Sequence, residues 1–202
     1  MSGNMQITII TLNVNGMNSP IKWKQIAEWI SSQKPTISCL QGIHMRQVDT
    51  HRFKMKGWNK IYWASTKKRK TGVAILISDK IKAKLDLIKR DREGNYISIK
   101  CSRDNEEISV LNIYAPNGIA FKFLKEKLAE LEEEIDSNTI LVGDLNLPLS
   151  DLDKSNQKIN KKEVREVNEI LEKIELIYMW RIVNRDKRIH LLFSSSWYIH
   201  KD

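Results

Sequence analysis

Glycine, proline and cysteine are all scarce in this 202-residue sequence, with eight, four and two residues respectively. So few glycines and prolines exclude a collagen-like chain or a low-complexity linker protein. Two cysteines cannot build a disulfide framework or a four-ligand zinc site. Cys39 and Cys101 both lie in apolar segments. We therefore predict that they are buried free thiols and not catalytic nucleophiles.

Long hydrophobic runs are also missing. No apolar stretch approaches the roughly 20 residues that are needed to cross a bilayer. Residues 1–6 have neither the basic start nor the apolar core of a signal peptide. These two absences predict an intracellular protein that is not inserted in a membrane.

Acidic residues are outnumbered, because 25 Asp and Glu face 34 Lys and Arg and leave a net charge of +9. A hydrophobic fraction of 41% is typical of a globular chain, and we interpret residues 1–202 as a single domain. The excess of basic residues predicts a polyanionic partner, either nucleic acid or an anionic membrane surface. The densest basic run comprises Lys67, Lys68, Arg69 and Lys70. Three interpretations of this run stay open: a solvated loop, a nuclear-import signal or a phosphate contact.

The hydrophobic pattern predicts strands interrupted by a few helices. Pro20 opens one helix, and apolar residues at helical spacing predict two others over residues 121–135 and 163–174. Several strands follow one another between Gly72 and Tyr114 without a helix, which argues against an alternating Rossmann pattern. Sheets with helices packed outside them fit this order. The predicted strands cover residues 6–12, 36–40, 60–63, 72–77, 96–100, 108–114 and 139–143, with a weak one at 189–194.

Three of the predicted strands end in polar pairs two residues apart. Side chains at i and i+2 of a strand point to the same side, so each pair offers two polar groups on one face. One such pair is usually a capped strand end, but three in one chain favour a shared site. The pairs are Asn13 with Asn15, Asn112 with Tyr114, and Asp144 with Asn146.

The composition of these pairs restricts the chemistry of such a site. The sequence contains no Gly-x-Ser-x-Gly, no Gly-rich phosphate loop and no His-Glu-x-x-His, so the standard signatures of serine hydrolases, P-loop enzymes and zinc proteases are absent. Carboxylate and amide oxygens instead suit a hard cation such as Mg²⁺ or Mn²⁺. Such an ion stabilises charge on a phosphoryl oxygen while a positioned water attacks.

The motifs at these strand ends resemble those of the endonuclease/exonuclease/phosphatase superfamily. The chain is most similar to the apurinic-endonuclease-like domain of LINE-type retrotransposon second open reading frame proteins. This resemblance implies a four-layered α/β sandwich, in which two mixed sheets pack face to face with helices outside. It also implies a divalent-metal site and nicking of double-stranded DNA. The motifs are residues 11–16, 111–117 and 143–146, and stretches typical of the subfamily occur at 49–52, 56–58, 72–76 and 90–94.

The resemblance also implies a role for individual residues. Asn13 matches the asparagine of the metal site, and Tyr114 matches the tyrosine that contacts the scissile phosphate. Asp144 matches the aspartate that orients or deprotonates the attacking water, with Asn146 as its amide partner at the phosphate. Asn117 matches a DNA-facing loop residue. Further candidates for DNA contact are the residues of the basic run, Lys67, Lys68, Arg69 and Lys70.

Two departures from the family pattern predict impaired activity. Gly42 stands where the family has the glutamate that is its chief metal ligand, so we expect weakened binding of Mg²⁺ or Mn²⁺. The sequence ends at Asp202, before the family's closing Ser-Asp-His motif. We therefore expect the sandwich to be incomplete at the C-terminus and to lack the closing strands. A truncated, decayed copy is the simplest account of both departures.

Three functions remain to be separated. The first is a magnesium-dependent DNA endonuclease, nuclear by resemblance, with reduced or absent activity. The second is a non-catalytic, basic nucleic-acid-binding remnant. The third is a phosphatase on the same fold, which nothing beyond the fold favours. No membrane and no obligate protein partner are expected for any of them.

Overall fold

The computed structural model describes residues 7–17, 19–45, 54–66, 71–103, 105–150, 153, 160–179, 182 and 196–200. Within these ranges the helices are α1 (Pro20–Gln33), α2 (Ala120–Leu131) and α3 (Lys161–Lys173), and a short 3₁₀ helix, Glu132–Glu134, follows α2. The strands are β1 (Ile9–Asn13), β2 (Ile37–Gln41), β3 (Lys60–Ala64), β4 (Val73–Ile77), β5 (Lys84–Arg90), β6 (Tyr96–Arg103), β7 (Glu106–Tyr114), β8 (Thr139–Asp144), β9 (Leu176–Tyr178) and β10 (Ser196–His200).

The strands form two mixed sheets. One has four strands in the order β1-β2-β4-β3, and the other has six in the order β5-β6-β7-β8-β10-β9. The first sheet contains a parallel pair, β1 and β2, in which Asn13 lies opposite Gln41. The second contains a parallel pair, β7 and β8, in which Tyr114 lies opposite Asp144. In each sheet, two neighbouring parallel strands therefore end at the same edge, and their last residues are polar.

Three apolar clusters separate the layers. The middle cluster joins the two sheets and contains Cys39 and Ile75 from one sheet with Ile99 and Val142 from the other. Leu40 and Leu76 belong to a second cluster with Ile30 of α1, and the third joins the six-stranded sheet to α2 and α3. The layers are thus helix, sheet, sheet and helix, which confirms the predicted four-layered α/β sandwich.

Both cysteines are completely buried, as predicted. Burial is the largest influence on each thiol. It raises the pKa of Cys39 far above its ordinary value and raises that of Cys101 to about 11. At neutral pH both groups are therefore protonated and unreactive.

The helix boundaries follow local signals. Pro20 occupies the first turn of α1, and Lys34 ends that helix in a left-handed conformation with φ 53°. The Asn160 side chain caps α3 by accepting the Lys162 backbone N–H at 3.2 Å. Within the described residues, no helix has the length and hydrophobicity that a membrane span requires.

Three strands, β5, β9 and β10, were not predicted. β5 lies at an edge of its sheet and changes register between Leu87 and Lys89, which interrupts the alternation expected of a strand. β9 has only three residues. The weak strand predicted over residues 189–194 lies outside the described residues.

Candidate functional site

The ends of β1, β7 and β8 bring three of the predicted site residues into contact. Asn13 Nδ2 donates a hydrogen bond to Asp144 Oδ2 over 2.7 Å, which links the two sheets. Tyr114 lies opposite Asp144 in the pairing of β7 with β8, and its pKa responds to both Asp144 and the Asn13 side chain. These residues are far apart in the sequence, and they meet because each is the last residue of a strand whose carboxyl end faces the same edge. Three of the predicted site residues therefore form one cluster at this edge.

The Asp144 carboxylate is buried, and both of its oxygens accept hydrogen bonds. Oδ2 accepts from Asn13, and Oδ1 accepts from the backbone N–H of Asn146 over 3.1 Å. A carboxylate fixed in this way has one orientation. It is the charged group around which the rest of the cluster is arranged.

Tyr114 is a neutral hydrogen-bond donor at physiological pH. Burial is the main cause that raises its pKa, and the negative charge of Asp144 raises it further. The Asn13 side chain acts in the opposite direction, and its influence is the smallest of the three. Because its phenol keeps its proton, Tyr114 can donate to an anionic oxygen.

The expectation that Asn15 and Asn146 share a strand face with their partners was wrong. Both lie just beyond their strands in the left-handed region, with φ 44° for Asn15 and 46° for Asn146. The alternation of side chains holds only while the backbone is extended. Each residue instead uses its backbone N–H to bind the side chain two positions earlier, so Asn15 N–H binds Asn13 Oδ1 at 2.9 Å.

The side chain of Asn146 is directed into the protein. Its Nδ2 donates to the carbonyl of Ala115 over 2.8 Å, immediately after the end of β7. This bond holds the ends of β7 and β8 together. The Asn146 amide has two N–H hydrogens, and this bond uses one of them. The resemblance assigns the same amide to a contact with phosphate.

Gly42 lies directly behind Asn13 and has a conformation that suits glycine. Its φ is 62°, and a Cβ built on its backbone would be only 2.6 Å from Asn13 Oδ1. The Gly42 carbonyl also accepts the Gly16 N–H at 2.6 Å, which fixes the backbone of this turn. The space in which a side chain would begin is therefore filled by the Asn13 amide.

The described residues of this site do not fit a tightly bound divalent cation. Nowhere in the part of the chain that the structure describes do three His, Cys, Asp or Glu side chains converge to hold a metal ion. The cluster offers one carboxylate, Asp144, and the neutral amide oxygen of Asn13, which already accepts a hydrogen bond. Hard cations are bound chiefly by anionic oxygens, and at the position where the resemblance predicts a second one the chain has Gly42.

Sequence reasoning did not find two other features of this edge. The first is a buried amide pair below the site. Gln41 Nε2 donates to Asn112 Oδ1 over 2.7 Å, and Asn112 Nδ2 donates to the carbonyls of Leu40 and Ala74 at 3.1 and 3.0 Å. Asn112 was noticed only as part of a polar pair. No sequence pattern predicts the contacts that Asn112 makes with the other sheet.

The second feature is a lysine beside the site. Lys22 Nζ, in the first turn of α1, donates to the carbonyl of Asn15 over 2.9 Å. The positive charge of Lys22 also affects His44, which lies three residues beyond the end of β2. There burial is the main cause that lowers the pKa of His44, and the charge of Lys22 lowers it further. His44 is therefore neutral at physiological pH.

Of the predicted DNA-facing residues, the structure describes only Asn117. Asn117 is exposed in the turn between β7 and α2. Lys67, Lys68, Arg69 and Lys70 fall outside the described residues. The basic run connects β3 to β4, and Val73 at the start of β4 lies opposite Gln41.

The fit between Gly42 and Asn13 predicts a measurable cost for adding one methyl group. We expect Gly42→Ala to lower the free energy of unfolding by about 2–4 kcal/mol, because a left-handed alanine is strained and its Cβ displaces the Asn13 amide. Gly57→Ala is the matched control, since Gly57 has φ 83° and open space around its Cβ position. That control should cost only about 1–2 kcal/mol. Urea denaturation measures both, and equal losses would contradict the proposed contact.

Comparisons with known proteins show which sequences this chain resembles. The sequence profile described as the Endonuclease/Exonuclease/phosphatase family matches residues 10–197. The transposon TX1 protein of Xenopus laevis is 23% identical over 183 residues, which are 89% of this chain and 14% of that protein. A DNA-(apurinic or apyrimidinic site) endonuclease of Dictyostelium discoideum is 25% identical over 172 residues, or 78% of this chain and 46% of that enzyme. The chain thus spans less than half the length of either relative.

A solved structure shares the fold. The endonuclease domain of TRAS1, a telomere-specific non-LTR retrotransposon, superimposes with a TM-score of 0.71 and is 12% identical. The match covers 97% of this chain and 85% of that domain. At this identity, the likeness concerns the arrangement of the strands and helices.

Proposed function

The chain belongs to the Endonuclease/Exonuclease/phosphatase family, and from that membership we propose that it is a duplex-DNA-binding domain of the retrotransposon-endonuclease type in which phosphodiester hydrolysis is impaired. Its family and its transposon and apurinic-endonuclease relatives agree with the resemblance inferred from the strand-end motifs. We propose that the chain retains DNA binding and has lost most of its hydrolytic activity.

One observation carries the proposed impairment. At Gly42 the site lacks a carboxylate, and the Asn13 amide oxygen lies 2.6 Å from where any side chain would begin. The loss is therefore more than an absent ligand, because the neighbouring amide occupies the same space. With a single carboxylate, the cluster attracts a divalent cation less strongly than a site with two would, so we propose that metal binding is weakened.

The remaining residues suit binding of a phosphodiester. The neutral phenol of Tyr114 donates to a phosphate oxygen, and the exposed amide of Asn117 extends the contact surface along the backbone. Asp144 is positioned to accept a proton from a water molecule. Asn146 is assigned to hold the ends of β7 and β8, with one amide hydrogen left for phosphate.

Charge supports nucleic acid as the partner. The net charge of +9 attracts a polyanion, and the relatives include a transposon protein and an endonuclease named for apurinic or apyrimidinic sites in DNA. We assign Lys67, Lys68, Arg69 and Lys70 to contacts with the phosphate backbone. A nuclear location, as for a protein that meets chromosomal DNA, follows from the same assignment.

Binding to duplex DNA provides the direct test. We expect log K against log [salt] to fall with a slope of about −3 or steeper, because each neutralised phosphate contributes about −0.9. Fluorescence anisotropy with a labelled duplex measures this slope. Affinity that does not change between low and physiological salt would contradict the proposal.

The active nuclease is the second candidate, and the convergence of Asn13, Tyr114 and Asp144 favours it. A phosphatase would be detected with soluble phosphoesters, and we expect no turnover of them. Nicking of plasmid DNA separates the active nuclease from the impaired one.

A further inference from the structure

We propose that Lys22 is part of the phosphate-binding site, and that its ammonium group supplies there the positive charge that a bound divalent cation would provide. DNA binding at this edge is then independent of metal. This inference rests on the proposed function and specifies how the DNA backbone is held.

A continuous series of contacts connects Lys22 to the charged centre of the site. Lys22 Nζ donates to the carbonyl of Asn15 at 2.9 Å, and the N–H of Asn15 donates to Asn13 Oδ1 at 2.9 Å. Asn13 in turn donates to Asp144 at 2.7 Å. The ammonium is thus held just beyond the end of β1, whose last residue, Asn13, contacts Asp144.

The ammonium group retains donors for a ligand. A lysine has three N–H donors, and the Asn15 carbonyl accepts one of them. Among the described residues Lys22 makes no ion pair with a carboxylate, whereas many other lysines of the chain do, including Lys24, Lys89 and Lys125. Its side chain is half-buried, which restricts its freedom and keeps the charge near the site.

The charge balance at this edge does not repel an anion. Asp144 contributes one negative charge and Lys22 one positive charge, and Gly42 contributes none. With a second carboxylate at position 42, the sum would be negative and a phosphate would need a cation to approach. With glycine the charges cancel, and the remaining donors of Lys22 and Tyr114 can bind phosphate oxygens directly.

Lys24 provides a matched control on the same helix. Two residues correspond to about 200° of rotation around an α-helix, so Lys24 lies on the side away from Lys22. It is exposed and lies 3.8 Å from Glu28, one turn further along α1. Lys24→Ala removes the same charge from the protein and leaves the strand ends unchanged.

The test measures the affinity of the full chain for a fluorescein-labelled duplex in EDTA, and in Mg²⁺ at the same ionic strength. We expect wild-type affinities in the two buffers to agree within about threefold. Lys22→Ala should weaken binding about tenfold and make the salt slope shallower by about 0.9, as expected for one lost phosphate contact. Lys24→Ala should change affinity by less than about threefold. Lys22→Arg, which keeps the charge, should retain most of the affinity.

The outcomes separate this inference from the proposed function. Equal effects of Lys22→Ala and Lys24→Ala, or wild-type binding that requires Mg²⁺, would overturn the role of Lys22 while DNA binding itself stands. A wild-type protein that binds no duplex in either buffer would overturn both. Circular dichroism of each variant establishes that the fold is retained before affinities are compared.

Discussion

Supercoiled plasmid incubated with this chain and millimolar Mg²⁺ is expected to be nicked no faster than with its Asp144→Asn variant. A metal ion contributes several kcal/mol of transition-state stabilisation in phosphoryl transfer. Because each 1.4 kcal/mol corresponds to a factor of ten, losing about 4 kcal/mol slows the reaction roughly 1000-fold. An agarose gel that resolves supercoiled, nicked and linear DNA measures the rates. Asp144→Asn removes the one carboxylate of the cluster and defines the background.

A carboxylate introduced at position 42 should not by itself restore the nicking of plasmid DNA. In Gly42→Glu the new Cβ would lie where the Asn13 amide is packed, 2.6 Å from its Oδ1, and the backbone would keep a φ that side chains rarely adopt. The glutamate must therefore displace Asn13, which is itself part of the cluster. Nicking by the unmodified chain far above the Asp144→Asn background would contradict the impairment. Full activity in Gly42→Glu would contradict the steric argument.

Replacing Asn112 with leucine is expected to destabilise the fold by about 3–5 kcal/mol, which is large for one substitution. The leucine has a similar volume but no polar atoms. The carbonyls of Leu40 and Ala74 and the Nε2 of Gln41 would each lose a buried partner. Urea denaturation at several wavelengths measures the loss, and we expect its midpoint to shift without a change in slope.

A double-mutant cycle tests whether the effect comes from the amide pair. Gln41→Leu and Asn112→Leu should together cost less than the sum of the two single variants, because the second substitution removes the partner that the first left unpaired. The expected coupling is about 1–2 kcal/mol. Strict additivity would show that the 2.7 Å contact between the two side chains contributes little.

The amide pair also links the two sheets next to the site. Gln41 immediately precedes Gly42, and Asn112 lies two residues before Tyr114. A link between them fixes the two sheets relative to each other directly below the cluster. Asn13 and Asp144, which meet across the sheets at 2.7 Å, depend on that spacing.

The elements with strong local signals were predictable from the sequence. Pro20 and the apolar spacing that follows it specify α1, and the β-branched runs specify the central strands, because these patterns reflect burial on one or two faces. The family motifs identified Asn13, Tyr114 and Asp144, and the missing carboxylate at Gly42 is visible in the sequence alone. The expected absence of closing C-terminal strands stays a prediction.

The contacts that these residues make could not be predicted from local patterns. The left-handed turns at Asn15 and Asn146 redirect both side chains, and no alternation pattern contains that information. The contact of Lys22 with Asn15 and the contact of Gln41 with Asn112 join segments that are separate in the chain. The clash that a Cβ at Gly42 would make depends on where Asn13 lies after the sheets have packed. Local patterns report the burial of each segment, whereas hydrogen bonds and charges at a site depend on distances that are fixed only when the layers assemble.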